Sequence, residues 1–415
     1  MQDKVATPAA PATTHLLGWG GAVHFLMALH FINWIGFAGW NAMLHNYTIE
    51  KLGYGWFEAG LTQTVREIPG FLAFTAVLWL LWFREQTIAY VSLIVLGIGV
   101  ALSGWISSVT GMLIATFVMS VGFHYFETIN KSLQLQLLPK AEAPALIGRI
   151  NSAGAAAQFT TYGALALAGL VGWQVSRSSY DGIFLFIGLL CACLTAVAFW
   201  FFGRFQGPVA QRKELILRQR YWLYYAMTFM SGARRQLFFA FGGFLLVKKF
   251  GFTVFDTAKL MLVTSLLNTL LAPQLGKLVK LYGERRSIMF ENAVLIAVFA
   301  GYALTSDWRV AAALFVIDGV FFTLILAQAT YFQKIADPAD VASTVSVAFT
   351  INHIAAVAIP VSFGLIGQNI NYSIIFWLGC GIASTSFLLS FLVPRHPQPG
   401  FETTLGGSPR VQPAE

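Results

Sequence analysis

The feature that most restricts this chain is a succession of apolar runs, each long enough to cross a lipid bilayer as a helix. A hydrocarbon core of about 30 Å takes about 20 apolar residues in a helix, and about twelve such runs follow one another. Their centres fall near Trp34, Phe71, Val95, Gly122, Gln158, Leu190, Arg234, Leu267, Leu295, Gly319, His353 and Ser384. Membrane-barrel strands would alternate over roughly ten residues instead. The runs therefore predict an all-α integral membrane protein of about 12 transmembrane helices, since helices satisfy their backbone without water. Composition agrees, because 57% hydrophobic against 11% charged residues leaves too few charges to cover a soluble protein of 415 residues.

Lys and Arg in the loops orient such a bundle. Arg204, Arg212, Lys213, Arg218 and Arg220 lie between the sixth and seventh runs, and Lys277, Lys280, Arg285 and Arg286 between the eighth and ninth. Both loops are expected in the cytoplasm, with both termini inside and a bacterial inner membrane as the setting. Lys248, Lys249 and Lys259 lie on the other side and oppose the bias. The net charge of +8 then reflects orientation and gives no reason to expect nucleic acid as a partner. The first 15 residues, MQDKVATPAAPATTH, lack the basic start of a cleaved signal and read as a disordered tail, as do residues 395–415. Cys191, Cys193 and Cys380 sit in apolar runs and read as packing residues. No metal-type spacing and no cofactor motif occurs.

An internal repeat sets the architecture. LGYGWFEAGL, Leu52 to Leu61, matches KFGFTVFDTAKL, Lys249 to Leu260, at an offset that pairs Gly53 with Gly251, Phe57 with Phe255 and Glu58 with Asp256. WFREQT from Trp82 then aligns with LYGERR from Leu281, and the stretch around Pro139 with that around Pro338. Three anchors in order divide the chain into six-helix halves, 16–203 and 221–394, joined by a basic linker, 204–220.

Two parallel six-helix halves with a basic linker resemble the major facilitator superfamily over nearly the whole chain. GKLVKLYGERR, Gly276 to Arg286, is similar to that family's loop between the second and third helices of a half, with Gly276, Gly283, Arg285 and Arg286 in place. Lys280 stands where the pattern has Asp, and the first-half loop LLWFREQ lacks the glycines. The resemblance implies a solute site near the bilayer midplane between halves, exposed alternately to each side. Gly154, Gly163 and Gly169 echo the family's antiporter glycine series only in part, without its Pro.

Charges within the apolar runs are the candidate site residues, because an ionised group in hydrocarbon must face a partner, a cavity or water. Arg234 and Arg235 are adjacent, so their side chains diverge by about 100°; one should meet the cavity, with Arg235 favoured, and the other pair within its half. Arg66 and Glu67 have no charged counterpart in the second half, which points to a specialised site or to a local ion pair. Glu127 and Lys131 stand at i,i+4 in the fourth helix, as an intrahelical pair or a gating one, with His124 on the same face. Asp318 is a candidate partner for an arginine of the seventh helix, and His353 can titrate or simply hydrogen-bond.

Arg235, Arg234, Arg66, Asn33, Trp34, Asn352 and Gln158 are thus the expected solute-binding residues, and Glu67, Glu127, Asp318 and His353 the proton-coupling ones. Lys131, His124, Arg285 and Arg286 are expected in ion pairs or gates. Four buried cations, Arg66, Lys131, Arg234 and Arg235, face three acids, which favours an anionic solute and bidentate contact by a guanidinium. The reading is a monomeric secondary active transporter of a small solute, an organic anion by this charge balance, coupled to protons. An exporter of drug-like compounds, or a non-transporting sensor or assembly protein on the same scaffold, stays open. No Gly-x-Ser-x-Gly, HExxH or Walker A sequence suggests an enzyme.

Overall fold

The computed structural model describes residues 21–79, 82–105, 108–138, 143–173, 179–203, 205, 217–337 and 341–405. The N-terminal tail, Arg204 and residues 206–216 of the linker, Pro139, Pro338 and the last ten residues lie outside the described residues.

The described residues form helices, with no named strand among them. In the first half α1 is Ala22–Leu52, and α2 is Trp56–Phe71 continuing through a 3-10 turn, Leu72–Thr75, to Trp79. Then come α3 (Glu85–Trp105), α4 (Val109–Leu137), α5 (Ala143–Leu170) and α6 (Ser179–Phe201). In the second half α7 runs from Trp222 to Phe250 with a π-turn at Leu237–Gly242. Val254–Leu304 follows as 51 continuous residues, broken at Gly283, whose φ of 80° and ψ of 164° only glycine holds easily. This break separates α8 (254–282) from α9 (284–304). The remaining helices are α10 (Trp308–Phe321, extended through a 3-10 turn to Ile335), α11 (Val341–Asn369) and α12 (Tyr372–Ser390).

Among the described residues, eight helices are long and apolar enough to cross a membrane. One of these is the α8–α9 pair, which counts as two spans. The three others, α2, α5 and α7, complete twelve. Two of them, α2 and α7, carry the charges described below, and those charges lower their mean hydropathy.

The repeat is reproduced in backbone geometry. Gly53 and Gly251 both end their helices at φ 68°, where the next amides, Tyr54 N–H and Phe252 N–H, bond back to Thr48 O and Leu246 O. Five residues on, the carboxylates of Glu58 and Asp256 accept from Gly55 N–H and Thr253 N–H. The shared sequence thus encodes one turn used twice.

Each half has its own apolar core, and the halves meet along α2–α11 and α5–α8. At the end holding the odd-numbered connections this seam is tight. A side chain at Gly60 would collide with the Pro360 carbonyl, and one at Gly364 with the Trp56 carbonyl. Gln368 accepts from Trp56 N–H at 2.8 Å, Tyr372 stacks on Trp56, and Lys248 donates to Tyr54 O at 2.8 Å. Thr64 also enters the α11 ladder beside Pro360, donating to Val357 O and accepting from Val361 N–H, an insertion that bends helices. Toward the opposite end Lys131 of α4 stays exposed while its ammonium lies 4.8 Å from the Phe349 ring of α11. The bundle is therefore closed at the end of the odd-numbered connections, while toward the opposite end α4 meets α11 through Lys131 and Phe349.

Beyond Pro394 the chain departs from the expected disorder as far as residue 405. Val393, Pro394 and Pro397 are buried, Thr404 N–H bonds Leu392 O, and Tyr331 donates to Glu402 O. A local turn and apolar anchors hold what composition alone made look unstructured.

Candidate functional site

The seam between the halves contains a charged cluster centred on Glu67, whose side chain is 1% exposed. Arg66 is ion-paired to Glu67 Oε1. Arg235, from α7 in the other half, places Nη2 3.5 Å from Oε2 and remains 24% exposed. His353 of α11 brings Nε2 to 3.5 Å from the same oxygen, and His124 of α4 brings Nε2 to 4.0 Å. Gln63, one turn before Glu67, donates to Gln236 Oε1 across the seam at 2.6 Å. Two guanidiniums therefore converge on one carboxylate, and among the described residues no second acid pairs with either.

Local sequence explains the convergence. Pro69 and Gly70 end the regular part of α2 just after Glu67, and a Cβ at Gly70 would strike the imidazoles of both His353 and His124. Glycine there admits two rings against the α2 backbone. Ser120 donates to Arg66 O and sits 2.9 Å from His124 Nδ1, so α4 grips α2 at the charged step. The arginine pair of α7 directly precedes the π-turn, a feature concentrated at functional positions.

Proton positions follow from the partners. Phe349 O, 2.8 Å from His353 Nδ1, can only accept, so Nδ1 carries the hydrogen. Ser120 O, 3.1 Å from His124 Nδ1, fixes the same tautomer there. Each ring then turns its Nε2 toward Glu67 Oε2. Both rings thus approach the same carboxylate oxygen, at 3.5 and 4.0 Å. Glu67, His124 and His353 also fit a two-histidine, one-carboxylate set, with ligand atoms within 4.8 Å of one another. Arg66 and Arg235 already occupy that carboxylate, and a divalent cation would have to displace both.

The other expected residues fall into separate groups. Arg234 turns away from the seam to Glu291 of α9, at 2.7 Å, with 5% and 1% exposure for the two side chains. The expected Asp318 partnership is replaced by this pair; Asp318 is buried nearby in α10 with Oδ2 unbonded. The expected Glu127–Lys131 ion pair also gives way. Glu127 Oε1 accepts from Asn33 Nδ2 at 3.1 Å and lies 3.9 Å from His30 Nδ1, while Lys131 turns to Phe349. Trp34 donates to His30 Nε2 at 3.1 Å, and His124 serves Glu67 rather than Glu127. Asn352 donates to Thr228 O at 3.4 Å, tying α11 to α7. Gln158 is half-buried in α5. Arg285 and Arg286 stand apart at the start of α9, with Arg285 5.7 Å from the Phe391 ring.

Sequence reading missed Glu291, His30, Gln63 and Gln236. Glu291 was detectable, as a lone acid within the apolar run following Ser287; the two glutamines carry no charge and leave no comparable mark.

The sequence profile of the Major Facilitator Superfamily matches residues 158–360 and, in an overlapping match, 224–412. The chain belongs to that superfamily. No curated protein matches it in sequence. Solved structures share the fold at low identity. A variant of the nucleoside transporter NupG aligns with TM-score 0.73 and 15% identity, over 89% of this chain and 99% of that one. A POT family transporter in complex with 5-aminolevulinic acid gives 0.70 and 12%, over 89% and 94%. A bacterial homologue of the human lysosomal transporter Spinster, inward-facing and occupied, gives 0.65 and 14%, over 89% and 92%. The superfamily chain is thus an integral membrane transporter of small solutes rather than an enzyme.

Proposed function

We propose that this transporter moves a small organic anion together with a proton, by alternating access around the Glu67 cluster. The observation carrying the proposal is the sharing of one carboxylate by Arg66 and Arg235 beside two imidazole Nε2 atoms. A proton arriving between Glu67 and His353 neutralises the carboxylate's hold on Arg235. That guanidinium, the partly exposed one, is then available to a solute carboxylate or phosphate, for which its planar fork is suited. Opening the closed end separates α7 and α11 from α2, drawing Arg235 and His353 off Glu67. Proton and anion therefore leave in the same half-cycle.

Asn33, Trp34 and Gln158 are proposed to contact the rest of the solute, and Glu127 and Asp318 to assist proton movement. Lys277, Lys280, Arg285 and Arg286 lie at the end opposite the tight seam, which loop charge assigns to the cytoplasm, and in the proposed cycle this conformation is the inward-facing one.

The test is flux into proteoliposomes from a panel of organic anions, with and without a proton gradient. Proton-driven accumulation should disappear in Glu67→Gln while solute exchange continues, and Arg235→Ala should lose both. Proton-driven uptake by Glu67→Gln at the parental level would refute the coupling, and unaltered anion flux in Arg235→Ala would refute the substrate class.

A further inference from the structure

We infer that the second half, at its end opposite the tight seam, carries a binding site for an anionic phospholipid headgroup. A groove of about 820 Å³ lies where the α8–α9 break meets the end of α10 and the folded tail. Lys280, Arg285, Arg286, Lys334 and Arg395 line it, against one carboxylate, Glu284. Among the described residues Glu284 pairs with Lys334, at 2.7 Å. Its charge is consumed by that pair, and four cations remain directed at the same space.

The break makes the groove. Gly283 redirects the chain, so that α9 begins with Glu284, Arg285 and Arg286 on the groove wall. The positive end of the α9 dipole adds to the cationic field. On the far wall, the tail is held in place by Thr404 N–H on Leu392 O and Tyr331 on Glu402 O, and this presents Arg395. Arg285 also lies against Phe391, which limits its motion toward solvent. The cations thus come from three elements of the fold, with Lys334 held by Glu284 and Arg285 by Phe391.

A lipid is favoured over a soluble anion by the rim. Leu281 and Tyr282 line the same groove and are 76% and 53% exposed. Phe290 of α9 is a further exposed apolar side chain on the helix that follows. A phospholipid satisfies both features at once, with its phosphate on the cations and its acyl chains along Leu281, Tyr282 and Phe290. A free phosphate would leave the apolar rim unused. Basic pockets at the ends of membrane helices bind such headgroups.

The experiment is native mass spectrometry of the full chain in mixed micelles holding phosphatidylglycerol and phosphatidylcholine with identical acyl chains. Phosphatidylglycerol should be retained preferentially, and the preference should fall as ionic strength rises. Neutralising Lys280→Gln, Arg285→Gln and Arg286→Gln together should cut its occupancy roughly a hundredfold, at about fivefold per charge. Replacing the same three by their basic counterparts, Lys280→Arg, Arg285→Lys and Arg286→Lys, should keep it. Arg309→Gln, at the opposite end of the bundle, should change nothing. Equal retention of the two lipids, or a preference insensitive to salt, overturns the site without recourse to any variant. Complete displacement by millimolar inorganic phosphate would overturn the lipid assignment in favour of a soluble anion.

Discussion

Two arginines adjacent in sequence occupy opposite kinds of site. Arg235 crosses the seam to Glu67, while Arg234, turned by one helical step, meets Glu291 inside its own half. The difference lies in what must move. A pair within one half travels as part of a rigid body, so nothing in an alternating-access cycle needs to break it. In the proposed alternating-access cycle, a pair across the seam is remade each time the halves rock. Burial follows the same division, with Arg234 sealed from solvent and Arg235 partly exposed.

The comparison breaks most visibly in stability. Arg234→Ala leaves Glu291 as an uncompensated buried charge, and losing one partner of such a pair costs about 3–5 kcal/mol. The variant should unfold far below the parent temperature in detergent. Replacing both partners with apolar residues, Arg234→Met with Glu291→Leu, should recover most of the loss, because the desolvation cost disappears with the charges. A double variant as unstable as the single would show that the pair has a further role.

Arg235→Ala should act on binding rather than folding. One lost charge-assisted contact is worth about 1.5–3 kcal/mol, so titration calorimetry with a transported anion should show affinity reduced by roughly 10- to 100-fold. Thermal stability should change far less than for Arg234→Ala. Equal destabilisation by the two substitutions would remove the distinction between a scaffold pair and a cycle pair.

A smaller effect tests the seam itself. Gly60→Val places side-chain carbon against the Pro360 carbonyl, and overpacking of this sort costs about 1–3 kcal/mol. The cost falls only on the state in which this end is closed. A cysteine-accessibility assay should therefore find the odd-connection end more open in the variant, with each half as resistant to denaturation as before. Unchanged accessibility would mean that the α2–α11 contact is not the closing element.

How much of this was legible in the sequence depends on the range of the interaction. Helix number and the two halves were readable, because apolar length and a repeated cap such as Gly53/Gly251 are local properties. Arg66, Glu67, Arg234, Arg235 and His353 also stood out, since each is a polar group in an apolar run. Their partnerships were not readable. Glu291 is 57 residues from Arg234, and Glu67 is 168 from Arg235, so only the packing of α7 against α9 and α2 decides which acid each arginine meets. Spacing misled at Glu127 and Lys131. The i,i+4 rule describes an isolated helix, whereas here Asn33 from α1 reaches Glu127 first.

Lys131 supplies the mildest test. Its ammonium lies near the Phe349 ring of α11, and a cation–π contact at an exposed position is worth about 0.5–1 kcal/mol. Lys131→Met keeps the apolar length and removes the charge, so it should leave thermal stability almost unchanged. Because the contact joins α4 to α11, its loss should shift the balance between end-open and end-closed states by no more than about fivefold, read by the same accessibility assay. A much larger shift would mean that Lys131 anchors its end of the bundle as firmly as Arg235 anchors the seam. The contrast between the two would then lie in partner chemistry rather than in burial, and Glu127, close by on the same helix, would be the first group to examine for a charge pair formed only when that end closes.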